Sequence, residues 1–190
     1  PPRPRSVGGG PRDLGVGAEL LRCDLVRLKE PRLLCDSGLD PGGVDAFRRD
    51  AETMIPDALY PQRKGATDSE ALFLVALGEG LEADPKCALE RAAARFEAHA
   101  RERGHAPYLR LTAALSDGVR LYAVRYASDA AAPTLYHRWS ETRRGRAVVS
   151  EPLEDDEGDW QEIPPGSFCT FEGKSVRIEP FAPALWQAAA

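Results

Sequence analysis

The spacing of apolar residues changes once along this chain, near Tyr108, and that change constrains the fold more than any other feature. Between Val44 and this point, apolar side chains recur every three to four residues, which is the period of an α-helix. The pattern predicts helices over residues 45–55, 69–81 and 85–103. Asp84, which is followed by proline, supplies the N-cap of the third helix.

After Tyr108 the pattern is that of β-strands. Alternating apolar residues are followed by a Ser-Asp-Gly turn and then by a run of β-branched and aromatic residues. Strands are predicted over residues 109–115, 119–126, 146–150, 168–171 and 175–178. Helices grouped first, with antiparallel strands afterwards, are typical of an α+β domain built from layers.

Length and charge limit the possible functions. The 190 residues, 43% of them hydrophobic, suffice for one domain with a core. The net charge of -5 argues against a general nucleic-acid binder, and no apolar run approaches the roughly 18 residues of a membrane span. Residues 1–43, which begin with a tract rich in Gly, Pro and Arg, are predicted to be a flexible or divergent segment before a folded domain over residues 44–190. The oligomeric state stays open.

The cysteines and histidines do not form a recognisable metal site. The cysteines are Cys23, Cys35, Cys87 and Cys169. They contain no CxxC pair, so free thiols in a reducing cytoplasm are predicted. His99, His105 and His137 are spaced too irregularly to share an ion, and the acidic run at residues 154–159 lacks the ligand pattern of an EF-hand. We therefore predict no metal and no cofactor.

A Thr-Asp-Ser-Glu sequence at residues 67–70 places a carboxylate where the chain turns into the second predicted helix. Thr67 and Glu70 fit a capping box, in which each side chain accepts a hydrogen bond from the backbone N–H of the other. Asp68 has two possible roles, because it can cap the helix or bind the ammonium group of a ligand. The apolar run at residues 72–77 predicts that this helix is buried.

Four stretches, taken in order, resemble one protein family. They are residues 67–73 (TDSEALF), 111–118 (LTAALSDG), 148–153 (VVSEPL) and 160–166 (WQEIPPG). Together they resemble the C-terminal half of class II glutamine amidotransferase-like proteins, which are N-terminal-nucleophile (Ntn) hydrolases. The resemblance runs from about Val44 to Pro183. It implies an Ntn-hydrolase-like αββα sandwich, incomplete on its N-terminal side, in which two antiparallel sheets lie between helical layers.

The resemblance also implies a chemistry. In this family an N-terminal Cys, activated by its own amine, hydrolyses the side-chain amide of glutamine to glutamate and ammonia. An Asn-Gly pair stabilises the oxyanion, and an Arg holds the substrate carboxylate. The Asp of the Thr-Asp-Ser-Glu strip holds the α-ammonium group of the substrate, and Asp68 matches that residue.

The sequence departs from the family pattern at each catalytic group. Residue 1 is Pro, Cys23 and Cys35 are internal, and the chain contains no Asn. Residues 1–43 do not resemble the N-terminal half of the family. We therefore expect a truncated or altered member without catalytic residues, in which Asp68 is retained as a substrate-binding residue.

Three functional interpretations follow. The first is a class II glutamine amidotransferase-like protein whose glutamine-hydrolysing activity is lost in this chain. The second is a non-catalytic Ntn-fold module that binds a ligand or a partner. The third is a γ-glutamyl amide hydrolase of small-molecule biosynthesis, in which Asp68 would hold the α-amine of the γ-glutamyl group. The expected small-molecule partner is glutamine or a γ-glutamyl compound.

Overall fold

The computed structural model describes residues 49–65, 67–104, 109–152 and 159–184. The predicted N-terminal segment 1–43, with Cys23 and Cys35, lies outside these residues, as do His105 and most of the acidic run. The division between residues 43 and 44 therefore stays a prediction. The longer elements are α1 (Asp68–Gly78), α2 (Pro85–Glu102), β1 (Arg110–Ser116), β2 (Leu121–Ala127), β3 (Tyr136–Ser140), β4 (Gly145–Val149), β5 (Gln161–Glu162), β6 (Ser167–Glu172) and β7 (Ser175–Pro180).

The second and third predicted helices are α1 and α2, and residues 49–53 form the described part of the first. α1 ends before the predicted residue 81 because Gly80 adopts a φ of 91°. The N–H of Gly80 then donates to Leu77 O, and the N–H of Leu81 donates to Ala76 O, which is a Schellman motif. None of the described helices has the length and apolar character of a membrane span. The cytoplasmic compartment stays a prediction.

The strands form two antiparallel sheets, in the orders β1-β2-β6-β7 and β4-β3-β5. All five predicted strands are present, as β1, β2, β4, β6 and β7. The sequence did not predict β3 or β5. β3 has the sequence Tyr-His-Arg-Trp-Ser, which shows no apolar alternation, and β5 has two exposed residues that are held by pairing with β3.

The described residues form three layers. α1 and α2 pack on one face of the four-stranded sheet, in a core that contains Phe96, Val124 and Phe168. The opposite face, which includes Ala123 and Cys169, packs on the three-stranded sheet in a second, smaller core. The α+β class is therefore confirmed. The second helical layer that the resemblance implies does not lie among the described residues.

Arg125 on β2 joins the two sheets. Its side chain is buried, and its Nη1 donates to the Glu162 carboxylate and to the Ile163 carbonyl, each at 2.6 Å. Its Nε donates to the carbonyl of Pro133 at 2.7 Å. Because these acceptors lie just before β3 and in or beside β5, Arg125 fixes the three-stranded sheet against the four-stranded one.

Candidate functional site

Asp68 is the first residue of α1 and is half-buried. Its Oδ1 accepts hydrogen bonds from the backbone N–H of Ser69 at 2.7 Å and from the Ser69 hydroxyl at 3.3 Å. The N-cap is Thr67, whose hydroxyl oxygen accepts from the N–H of Glu70 at 3.2 Å. Since Thr67 caps the helix, Asp68 is not the N-cap. Its charge at the positive end of the helix dipole is nevertheless favourable.

Glu70 closes the loop in front of α1 instead of completing the predicted capping box. Its carboxylate oxygens accept from the N–H of Lys64 at 2.8 Å and from the N–H of Gly65 at 2.7 Å. A capping box requires that Glu70 accept from the N–H of Thr67. The Thr67 half of the box is confirmed, and the reciprocal half is wrong because the chain turns back earlier and presents two other N–H groups. Glu70 thereby fixes the approach to Asp68.

A cavity of about 550 Å³ opens between the two sheets, beside the turn that joins β6 and β7. We call it the inter-sheet cavity. Its walls include His137, Trp139, Ser140, Arg146, Gln161 and Lys174. Asp68 does not line it. The predicted ligand role of Asp68 stays a prediction.

His137 and Arg146 form the inner wall of this cavity. Arg146 Nη1 lies 2.9 Å from His137 Nδ1. Because a guanidinium can donate but not accept, Nδ1 is the acceptor, and the neutral imidazole carries its proton on Nε2. Burial lowers the pKa of His137, and the positive charge of Arg146 lowers it further. The imidazole also packs edge-on against Phe171, with ring centroids 4.9 Å apart.

A second cavity, of about 740 Å³, lies at the start of α2 on the helical side of the four-stranded sheet. Three cations in its wall form ion pairs: Arg120 with Glu172, Arg177 with Glu179 and Lys86 with Glu90. The Cys87 thiol also lines it, and the side-chain hydrogen bond with Asp84 raises the pKa of that thiol. This cavity therefore combines balanced charges with a protonated thiol. Asp68 does not line it either.

The described thiols are poor nucleophiles. Cys169 is fully buried between the sheets, and burial raises the pKa of its thiol to about 11. Since a thiolate is the reactive form, the raised pKa values of Cys87 and Cys169 disfavour both thiols as nucleophiles near neutral pH. Within the described ranges, no group of three or more His, Cys, Asp or Glu side chains is arranged to hold a metal ion.

Sequence reasoning missed the cluster of His137, Trp139 and Arg146. The residues come together because β3 and β4 form a hairpin in which Trp139 pairs with Arg146 and His137 pairs with Val148. Alternation along both strands puts these side chains on one face. The turn-like Glu-Thr-Arg-Arg sequence at residues 141–144 was the available signal for this hairpin. From its spacing in the sequence, His137 was considered only as a possible metal ligand.

The decisive comparison is with a solved structure. The chain is similar to a glutamine aminotransferase class-II domain protein from Silicibacter pomeroyi. The two chains are 55% identical, and the match covers 75% of this chain and 64% of that class II relative, with a TM-score of 0.69. This chain therefore spans less than two thirds of the relative's length. No protein-family model and no curated protein matches it.

The similarity to the class II relative reaches well beyond the four short stretches named above, because it covers 75% of this chain. It therefore supports the resemblance to class II glutamine amidotransferase-like proteins on independent ground.

Proposed function

We propose that this chain is a class II glutamine amidotransferase-like domain of the Ntn-hydrolase type, and that Asp68 binds the α-ammonium group of glutamine or of a γ-glutamyl compound. The similarity to the class II relative, at 55% identity, carries the proposal. The position of Asp68 supports it, since a carboxylate at the start of a buried helix is held in a defined place.

Asp68 suits an ammonium ligand on chemical grounds. An ionised carboxylate accepts hydrogen bonds from ammonium groups, and Ser69 holds Oδ1 in place through its backbone N–H and its hydroxyl. A charge-assisted bond from an ammonium group is roughly twice as strong as a neutral hydrogen bond. Thr67 caps the helix and Glu70 holds the preceding loop, so both neighbours position Asp68 without requiring its charge.

We infer that the 190-residue chain binds this ligand without hydrolysing it. The chain contains no Asn, so the Asn-Gly donors of the family cannot form, and loss of one oxyanion donor costs about 10²–10³ in rate. The described thiols are protonated near neutral pH. These observations favour the binding module over the γ-glutamyl amide hydrolase. Ammonia release from glutamine that a thiol alkylator abolishes would restore an enzymatic interpretation.

The test is calorimetric titration of the purified chain with L-glutamine and with 4-carbamoylbutanoate, which is glutamine without its α-ammonium group. We expect the chain to prefer glutamine. In Asp68→Asn the preference should disappear, with glutamine affinity reduced about tenfold or more, which is the order expected for loss of a charge-assisted bond. No binding of glutamine by the parent chain, or equal binding by parent and variant, would contradict the proposal.

Asp84→Asn is the matched control. Asp84 is the N-cap of α2, and its Oδ1 accepts from the N–H of Cys87 at 3.0 Å. The substitution therefore also removes one carboxylate charge at a helix start, while Asn retains the capping ability of Asp. We expect glutamine affinity in Asp84→Asn to equal that of the parent. A loss equal to that of Asp68→Asn would indicate a general charge effect instead of a site.

A further inference from the structure

Arg146 is a half-buried cation for which the described part of the chain offers no carboxylate partner. Its guanidinium carbon lies 4.7 Å from the ring centroid of Phe171 and 5.9 Å from that of Trp139. Arg125, the other deeply placed arginine, contrasts with it because Arg125 pairs with Glu162 at 2.6 Å. Cations taken out of water are normally paired with an anion. An anionic ligand would therefore stabilise the charge of Arg146.

The hydrogen bonds of Arg146 leave donors unused. A guanidinium carries five N–H donors. Nη1 donates one to His137 Nδ1, and Nη2 donates to the carbonyls of Lys174 at 3.0 Å and Gly173 at 3.5 Å. All three acceptors are neutral. Two N–H groups remain, and one of them is the buried Nε, which has no acceptor.

The inter-sheet cavity places this cation beside neutral polar groups and an aromatic side chain. Ser140, Thr142 and Gln161 supply hydroxyl and amide groups, and Trp139 supplies an indole surface. Lys174 at the rim is already paired with Glu141 at 2.5 Å. Arg138 also lines the cavity, and its guanidinium carbon lies 4.8 Å from the ring centroid of Trp160. Arg146 has no carboxylate partner among the described residues.

From this geometry we propose that the inter-sheet cavity is a binding site for a small organic monocarboxylate, to which Arg146 donates the remaining N–H of Nη1. A carboxylate supplies the negative charge that Arg146 lacks among the described residues, and one of its oxygens can accept a charge-assisted hydrogen bond from Nη1. A phosphate dianion fits less well, because Glu141 and Asp159 also line the cavity and would repel a second negative charge. The indole of Trp139 suits a flat or apolar ligand body.

The test is titration of the ¹⁵N-labelled 190-residue chain, followed by the NMR signals of the arginine Nε–H and tryptophan Nε1–H groups. The probes are benzoate, its neutral isostere benzamide, and inorganic phosphate. We expect benzoate to shift the Arg146 Nε–H signal saturably, with benzamide and phosphate binding about tenfold or more weakly. Equal effects of benzoate and benzamide would overturn the site. Tighter binding of phosphate would overturn the assignment to a monocarboxylate.

Variants separate the site from a general effect of positive charge. Arg146→Gln should abolish the benzoate shift of the tryptophan signals, and Arg146→Lys should retain part of it, because lysine keeps the positive charge. Arg177→Gln is the matched control, since it removes an exposed arginine from neighbouring β7. Retained benzoate binding in Arg146→Gln would contradict the proposal. If that variant fails to fold, the comparison of probes on the parent chain decides.

This site is independent of the function proposed above. Asp68→Asn should leave benzoate binding unchanged, because Asp68 does not line the inter-sheet cavity. Loss of benzoate binding in Asp68→Asn would show that the two sites are one, and the separate cavity site would then be wrong.

Discussion

Gly78, at the end of α1, approaches Pro56 so closely that a Cβ at position 78 would lie 2.6 Å from Pro56 Cγ and 3.3 Å from its Cδ. Leu59 would lie 3.7 Å from the same Cβ. Pro56 follows the helical residues 49–53, so this contact packs the ends of two helical segments together. The close approach to Pro56 is what requires glycine at this position. The φ of Gly78 lies outside the left-handed region, so backbone conformation is not the reason.

Gly78→Ala should therefore destabilise the chain, although alanine is the better helix former. Ala for Gly within a helix ordinarily gains about 0.5–1 kcal/mol. A Cβ that overlaps a proline ring instead forces the helix ends apart, and overpacking of this kind costs about 1–3 kcal/mol. The free energy of unfolding in urea is the measurement.

In the double variant Pro56→Ala/Gly78→Ala the overlap is relieved, so we expect a favourable coupling energy. A Gly78→Ala chain as stable as the parent would contradict the expected clash.

The first half of the fold could be predicted from the sequence because its signals are local. The capping Thr67, the apolar run behind it and the Asp84 N-cap are contiguous with the helices that they define. β3 could not be predicted in this way. Its residues are mostly polar, and β3 is a strand because β4 and β5 pair with it from either side, in a register that no local pattern contains.

The same distinction applies to the candidate sites. Asp68 was singled out because it belongs to a contiguous strip at a helix start. The environment of Arg146 could not be predicted, since it depends on the pairing of β3 with β4 and on the packing of Phe171 from the other sheet. His137 was visible as a histidine, but its contact with Arg146 follows from the same register.

Arg125→Met should be strongly destabilising. Arg125 satisfies the buried carbonyls of Pro133 and Ile163, and its loss leaves these acceptors unpaired and the two sheets without their link. Each buried unsatisfied group costs about 1–3 kcal/mol, so a loss of roughly 3 kcal/mol or more is expected in urea unfolding. Arg120→Met is the control, because its ion pair with Glu172 is exposed and such pairs contribute about 0–1 kcal/mol. Equal losses in the two variants would rule out a special role for Arg125.

Glu70→Gln tests how the loop before α1 is held. A glutamine side chain has one acceptor oxygen where glutamate has two, so either Lys64 or Gly65 loses its hydrogen-bond partner. We expect a loss of about 1 kcal/mol in the free energy of unfolding, together with faster amide hydrogen exchange at residues 64 and 65. Glu82→Gln, an exposed substitution in the turn between α1 and α2, should change neither quantity. Unchanged exchange in Glu70→Gln would show that the carboxylate does not hold this loop.

His137 makes the stability of the fold depend on pH. Burial, followed by the charge of Arg146, lowers the pKa of folded His137 below the value of about 6.5 that an unfolded chain has. The unfolded state therefore binds more protons in this range, and the free energy of unfolding should fall as the pH drops through about 6.5 towards the lower folded pKa. Protonation would also place a cation beside Arg146 and remove its acceptor at Nδ1.

Urea unfolding of the parent and of His137→Gln from about pH 8 to about pH 5 measures this slope, above the range in which carboxylates titrate. The slope should be reduced in His137→Gln. A parent chain with the same pH slope as His137→Gln would show that this imidazole does not link protonation to folding.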